Sequence, residues 1–181
     1  YSGLTAAAAY NSLRPHADKI TQVIMMGPCH RIGVTGLALP SSQAFRTPLG
    51  RVPVDIEAIK KIIDLPNVKF FNETHVNDHA LEVHLPFLQT ILTSFSIVPL
   101  IVGQAKPSDV AAVLETLWGN DETLTLISSD LSHYQSYSDA QKFDNTTRKS
   151  IENLDTSAIG DRHACGRHSI KGLLEVARDR K

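Results

Sequence analysis

The chain has 181 residues, 42% of them apolar and 20% charged, the proportions of a single domain large enough to bury one core. Its 18 Lys and Arg and 19 Asp and Glu nearly cancel, and no basic block stands out, so nucleic acid and anionic membrane are not expected partners; a small molecule or a peptide is. No apolar run approaches the roughly 20 residues of a membrane span, no secretory leader opens the chain, and the two cysteines, Cys29 and Cys165, lie far apart and each close to a histidine, which together read as a cytoplasmic protein with reduced thiols. The opening Tyr1-Ser2-Gly3 runs directly into alanine-rich sequence, and we read the chain as a single α/β domain over 1–181 that lacks N-terminal and C-terminal segments of its fold.

In chain order, residues 3–13 read as a helix and 20–26 as a buried strand. Residues 31–53 read as loop with short strands near 37–39 and 51–54. Asp55 is placed to cap a helix whose stripe is Ile56, Ile59, Ile62 and Ile63. A short strand at 68–72 precedes a polar run, 73–78, and then a helical pattern over 79–92 that Pro86 should kink or restart. Residues 95–102 form the most apolar strand candidate, ended by Gly103. An amphipathic helix at 107–118, with Ser108 or Asp109 near its start, a strand at 123–127, a polar-faced helix at 138–154 and a last helix at 166–178 complete the chain. Alternating strands and helices predict a mainly parallel sheet with helices on both faces. The absence of a G-x-G-x-x-G or G-x-x-x-x-G-K-[ST] motif argues against a dinucleotide or nucleoside triphosphate enzyme.

Three segments carry side chains suited to chemistry, each at an element end where open α/β sheets hold their ligands. G-P-C-H-R at 27–31 follows the first strand and presents His30, a candidate metal ligand; a turn histidine bonded only to backbone is the plainer alternative. S-S-D-L-S-H at 128–133 follows the strand at 123–127. If it begins a helical turn, Asp130 and His133 share a face and can exchange or orient a proton, although Asp130 could equally be a cap. A-C-G-R-H at 164–168 sets Cys165 at a helix start near Arg167 and His168, surroundings that favour a thiolate over an inert buried cysteine. The densest titratable group is Glu73, His75, Asp78, His79, Glu82 and His84. There His75 and His79 have the spacing of a helical zinc pair, but Val76 stands where the glutamate of such a motif would be. Cys29, next to a histidine that faces the cleft, is expected to face the core.

Taken together, G-P-C-H-R, R-T-P-L-G (46–50), D-H-A-L-E-V-H-L-P-F (78–87), I-V-P-L-I-V-G (97–103), S-S-D-L-S-H and C-G-R-H resemble the Memo family, in its order and over nearly the whole chain. The resemblance implies the fold of the type III extradiol ring-cleavage dioxygenases, which are non-haem iron enzymes. It implies a metal held by two histidines and a cysteine and lined by an aspartate and a further histidine. Carried over residue by residue, His30 and Cys165 are metal ligands, Asp130 and His133 the catalytic pair, and Tyr1 and His79 further pocket residues; the family's other metal histidine belongs to a P-H-A-G-Y segment that this sequence does not contain. The implied cofactor is iron or copper. A thiolate in place of the carboxylate of a ring-cleaving site favours redox chemistry at the metal and exposes the sulfur to oxidation. The expected function is therefore a metal-dependent oxidoreductase. Its alternatives are a non-catalytic module binding a peptide or small ligand in the same pocket, and a metal-free enzyme with Cys165 as nucleophile and His133 as base. A homo-oligomer is left open.

Overall fold

The computed structural model describes residues 2–181; Tyr1, expected at the pocket mouth, lies outside the described residues. Apolar runs on both faces of a strand require cover on both faces, and the two most apolar runs take the middle of the sheet. β1 (Gln22–Pro28) and β6 (Ser96–Val102) each have six of seven residues buried and pair in parallel, with Met25 opposite Pro99. β7 (Thr123–Ile127) pairs in parallel with the other side of β1. β2 (Leu37–Leu39) extends the sheet beyond β6, antiparallel to it, and β5 (Val68–Phe70) pairs in parallel with β2. The order is β5-β2-β6-β1-β7, a mainly parallel sheet with one antiparallel junction, as the alternation of elements predicts.

Pro99 sits inside a central strand, where the missing N–H would normally cost a ladder bond. Here it does not. Asp55 N–H donates to Ile97 O (2.8 Å), so Ile97, and by alternation Pro99, turn their backbone polar groups away from β1, while β2 pairs with β6 only at Ile101 and Val102. The proline thus faces the gap that β2 leaves.

A ribbon of β3 (Ala44–Thr47) and β4 (Gly50–Pro53) stands apart. Only its second strand was expected from the sequence; A-F-R-T lacks an apolar run because one face of the ribbon is solvated. α2 (Ile56–Ile62) is capped as expected, Asp55 accepting from Ala58 N–H at 2.9 Å. α5 (Pro107–Leu117) packs on α7 (Arg167–Asp179), which also lies on β1. α1 (Gly3–Asn11) meets α4 (Leu85–Ile91) through Tyr10 stacked on Phe87, ring centroids 5.1 Å apart. α6 (Tyr137–Glu152) starts at Ser136, whose Oγ accepts from Asp139 N–H.

The helix expected over 79–92 is shorter than its pattern. Residues 78 and 79 are irregular, 80–81 form a turn, Glu82–His84 one 3-10 turn, and α4 begins only at Leu85, with Pro86 in its first turn where its missing N–H costs nothing. Part of the polar run before it folds as a single turn, α3 (Glu73–Val76). Among the described residues no helix is long and apolar enough to cross a membrane.

Candidate functional site

Parallel neighbours leave a sheet at the same edge, so the segments after β1 and β7 emerge side by side, Met26 opposite Ile127. Gly27 lets them close up. A Cβ there would lie 2.9 Å from Leu81 Cδ2, 3.1 Å from Ala80 Cβ and 3.3 Å from Ser128 Cβ, so the 80–81 turn and the start of the 128–133 segment both pack against the end of β1. His30 follows on one side, Asp130 and His133 on the other.

His30 is fixed by Asp78, a residue to which no role is assigned from sequence. The Asp78 side chain is 1% exposed; one carboxylate oxygen accepts from His30 N–H (2.7 Å), and the other faces His30 Nδ1 at 3.1 Å and accepts from Ala80 N–H at 3.0 Å. Burial pushes this carboxyl up, but the His30 backbone, the His30 ring and the Ala80 N–H outweigh it and hold the group below its ordinary value. An ionised carboxylate has no proton to give, so Nδ1 carries the hydrogen and Nε2 is the basic nitrogen of the neutral ring. This is the outer-sphere arrangement that orients metal-binding histidines. The His79 ring stacks on His30 (5.6 Å between centroids, planes 9° apart), so it does share the His30 surroundings. Stacked rings hold their lone pairs in separate, nearly parallel planes, an arrangement suited to a shared π surface more than to two bonds to one ion.

After β7, Asp130 is tied reciprocally to Cys165. Cys165 N–H donates to Asp130 O (3.2 Å), and Asp130 N–H donates to Cys165 Sγ (3.2 Å). Ser129 Oγ donates to Asp130 O (2.7 Å) and accepts from Gly166 N–H (2.9 Å), with its oxygen 3.7 Å from the sulfur. Gly166 is required here: a Cβ would meet Ser128 O at 2.5 Å. Asp130 Oδ2 lies 3.4 Å from His133 Nε2, so the expected pair forms, although residues 128–136 are not helical. Both side chains are largely exposed. Arg167, expected beside the thiol, instead bonds Asp161 at 2.8 Å.

Other titratable candidates lie elsewhere. Cys29 packs partly buried on the main core and its Sγ donates to Ile32 O. His75 contacts Ala38 O through Nε2 (3.0 Å) and the Phe45 ring edge-on. His84 Nδ1 accepts from the buried Tyr10 hydroxyl at 2.7 Å. Burial lowers the pKa of His75 and of His84 and raises that of Tyr10. Among the described residues no three His, Cys, Asp or Glu side chains gather as one metal-binding group. The chemistry of the donors suits a soft or borderline metal all the same: an imidazole with a carboxylate behind it and a sulfur that accepts an N–H.

Residues 1–179 match the family model described as Memo-like protein. The chain belongs to the Memo-like family. MEMO1 family proteins of Sulfolobus acidocaldarius (30% identical, covering 98% of this chain and 67% of the relative), Aquifex aeolicus (33%, 88% and 60%) and Thermotoga neapolitana (32%, 97% and 67%) are similar along most of it. The Memo-like chain thus spans about two thirds or less of those relatives' length. The crystal structure of an uncharacterized protein from Escherichia coli K12 superposes with a TM-score of 0.62 at 12% identity, covering 94% of this chain and 80% of that one, a likeness of fold.

Proposed function

We propose that this Memo-like chain is a metal-dependent redox protein in which His30 Nε2 and Cys165 Sγ are two of the donors to an iron or copper ion. The observation that carries the reading is the buried Asp78 carboxylate, which fixes the His30 ring through Nδ1 and leaves Nε2 as its basic nitrogen. A bare turn histidine needs no such anchor. When bound, the metal supplies one-electron redox chemistry at an imidazole and thiolate centre. The chain's own residues do the rest. Asp130 N–H stabilises negative charge on the sulfur. Asp130 faces His133 Nε2 and orients the ring, which takes up or releases a proton at the other nitrogen, Nδ1, and the exposure of the pair allows exchange with water or with a small-molecule or peptide ligand.

The test is anaerobic titration of the purified protein with Fe(II) and with Cu(I), followed by metal analysis and dioxygen and superoxide consumption. Stoichiometric uptake that His30→Ala and Cys165→Ser each abolish, with redox turnover lost alongside, is the expected result. No uptake and no turnover, in the wild type and in a version extended at its N-terminus, would overturn it. Peptide binding unaffected by chelators would assign the pocket to recognition instead.

A further inference from the structure

We propose that His84 is a pH-sensitive clasp on the segment that holds His30: as a neutral ring it fastens Tyr10 of α1 to that segment, and on taking up a proton it releases Tyr10 and shifts the segment, and with it the Asp78 anchor of His30. The inference concerns how His30 is held, and it stands whether or not His30 binds a metal.

Residues 78–84 reach from one partner to the other. At one end Asp78 accepts from the His30 N–H; at the other, His84 Nδ1 accepts from the Tyr10 hydroxyl at 2.7 Å. Between them Ala80 N–H donates to the Asp78 oxygen that also faces the His30 ring, and His84 N–H donates to Leu81 O at 3.2 Å. Ala80 and Leu81 are buried and press on Gly27 so closely that a Cβ there would lie 3.1 Å and 2.9 Å from them. A segment packed to this density passes a displacement on rather than absorbing it.

The Tyr10 end suits one protonation state of His84. Tyr10 is the residue that α1 buries; it is 6% exposed, stacked on Phe87 with the planes 8° apart, and burial keeps its phenol protonated. Nδ1 accepts the phenol hydrogen only while it carries none of its own. On the imidazolium both ring nitrogens donate, so an N–H faces the O–H, and the phenol could accept only by turning its hydrogen away from the one partner it has among the described residues. Opening relieves this and returns the cation to water. Tyr10 is the titratable group that faces the ring from α1, Glu82 on the same 3-10 turn is exposed, and no charged side chain sets the proton affinity of His84, which burial lowers and the Ala80 carbonyl raises. The closed ring therefore holds a proton less tightly than an open one at its ordinary 6.5, and the ratio of open to closed rises as pH falls below about 6.5, by up to about tenfold per pH unit.

Proton–nitrogen-15 spectra recorded from about pH 8 to about pH 5, with a chelator present, test the proposal. The expected result for the wild type is a step with one midpoint, below 6.5, shared by the His84 ring, the Tyr10 amide and the His30 and Ala80 amides that donate to Asp78. His84→Asn sets an amide oxygen in the place of Nδ1 and cannot titrate, so that step should disappear from all of these amides while any step belonging to the His30 ring itself remains. Tyr10→Phe keeps the stack on Phe87 but removes the hydroxyl that favours the neutral ring, and should raise the His84 midpoint toward 6.5. Tyr10 or Ala80 amides that ignore the His84 titration, a step that persists in His84→Asn, or a Tyr10→Phe protein with an unchanged His84 midpoint would each overturn it. If His84→Asn does not fold, the wild-type titration and Tyr10→Phe decide between them.

Discussion

Replacing Asp78 by Asn keeps the shape of the side chain and removes what the site requires of it, an acceptor on both oxygens. In the wild type one oxygen serves His30 N–H and the other serves the His30 ring and Ala80 N–H. An amide can cover only one side, so its NH2 faces a donor that was bonded to a charged oxygen. A hydrogen bond to a charged group contributes about 1.5–3 kcal/mol and an unsatisfied buried donor costs about 1–3 kcal/mol; as these overlap, Asp78→Asn should cost roughly 2–4 kcal/mol. For a chain of this length each kcal/mol moves Tm by about 2–4 °C, so the melting point should fall by roughly 4–16 °C. Asp78→Ala, which strands all three donors, should cost more. The effect has a pH signature. Because the folded carboxyl titrates below its unfolded value, its contribution is complete above the unfolded pKa and is lost as pH falls through the folded one, so wild type and Asp78→Asn should converge in acid. Nitrogen-15 spectra of the His30 ring should show the proton on Nδ1 in the wild type and a shift toward Nε2 in the variant. A variant that melts within about 1 °C of wild type at neutral pH, less than 1 kcal/mol by the same scaling, with an unchanged ring tautomer, would refute the role given to Asp78.

Gly172→Ala should be severe for a different reason: its Cβ would lie 2.4 Å from Val110 Cβ and 2.9 Å from Pro107 O, forcing α7 off α5 at about 1–3 kcal/mol, whereas Gly33→Ala meets nothing within 4 Å and should melt within about 0.5 kcal/mol of wild type. His75 and His84, held below their ordinary 6.5 chiefly by burial, stay neutral in the fold while the unfolded chain takes up protons. Stability is therefore full above about pH 6.5 and falls below it toward the folded values by up to about 1.4 kcal/mol per pH unit for each histidine, and His84→Gln should flatten the slope measured by urea denaturation. Asp130→Asn should change stability by less than about 1 kcal/mol, since the Asp130 and His133 side chains are 67% and 43% exposed, yet slow any proton-coupled turnover; a large loss of stability would show that the pair is structural. Gly166→Ala should lower Tm and also change the alkylation rate of Cys165 by iodoacetamide, because the new methyl meets the Ser128 carbonyl and moves the segment that carries the sulfur.

What could be read from the sequence follows burial. β1, β6 and β7 declare themselves as apolar runs closed by glycine or serine, and the Asp55 cap by a carboxylate just before an isoleucine stripe. β3 does not, because a half-solvated ribbon mixes Arg and Thr with a single aromatic. The helix over 79–92 is misjudged for a related reason: its period is real, but Asp78 spends its oxygens on His30 and Ala80 rather than on capping a helix there. Element ends are where His30, just past the end of β1, and Asp130 and His133, after β7, do stand, and Cys165 precedes α7. The partner of each was less legible. Asp78 sits in a polar run, Glu73 to His79, where one buried carboxylate is indistinguishable from solvated neighbours, and Arg167 could not be seen to choose Asp161 over the thiol. Long-range choices of this kind are made by packing, through contacts such as that of Ala80 and Leu81 on Gly27, and packing leaves no local pattern.

The site divides into two halves that couple differently to the fold. The His30 half is built on a buried charge and on a glycine with no room for a methyl, so changes there are paid in stability before they are seen in chemistry. The Asp130, His133 and Cys165 half is held by bonds between exposed or half-exposed groups, and by Ser129 bridging Asp130 O to Gly166 N–H. Bonds among its exposed groups contribute little where water can replace them, although the buried Gly166, with no room for a methyl, also ties this half to Ser128. Substitutions among the exposed groups can therefore alter the surroundings of the sulfur with less effect on the His30 half. Ser129→Ala, which removes the donor to Asp130 O and leaves the buried Gly166 N–H without its acceptor but touches no acid or base, should cost about 1–3 kcal/mol. The same substitution should alter Cys165 reactivity, and a Ser129→Ala protein with wild-type alkylation kinetics would mean that the sulfur is positioned by the Asp130 backbone alone.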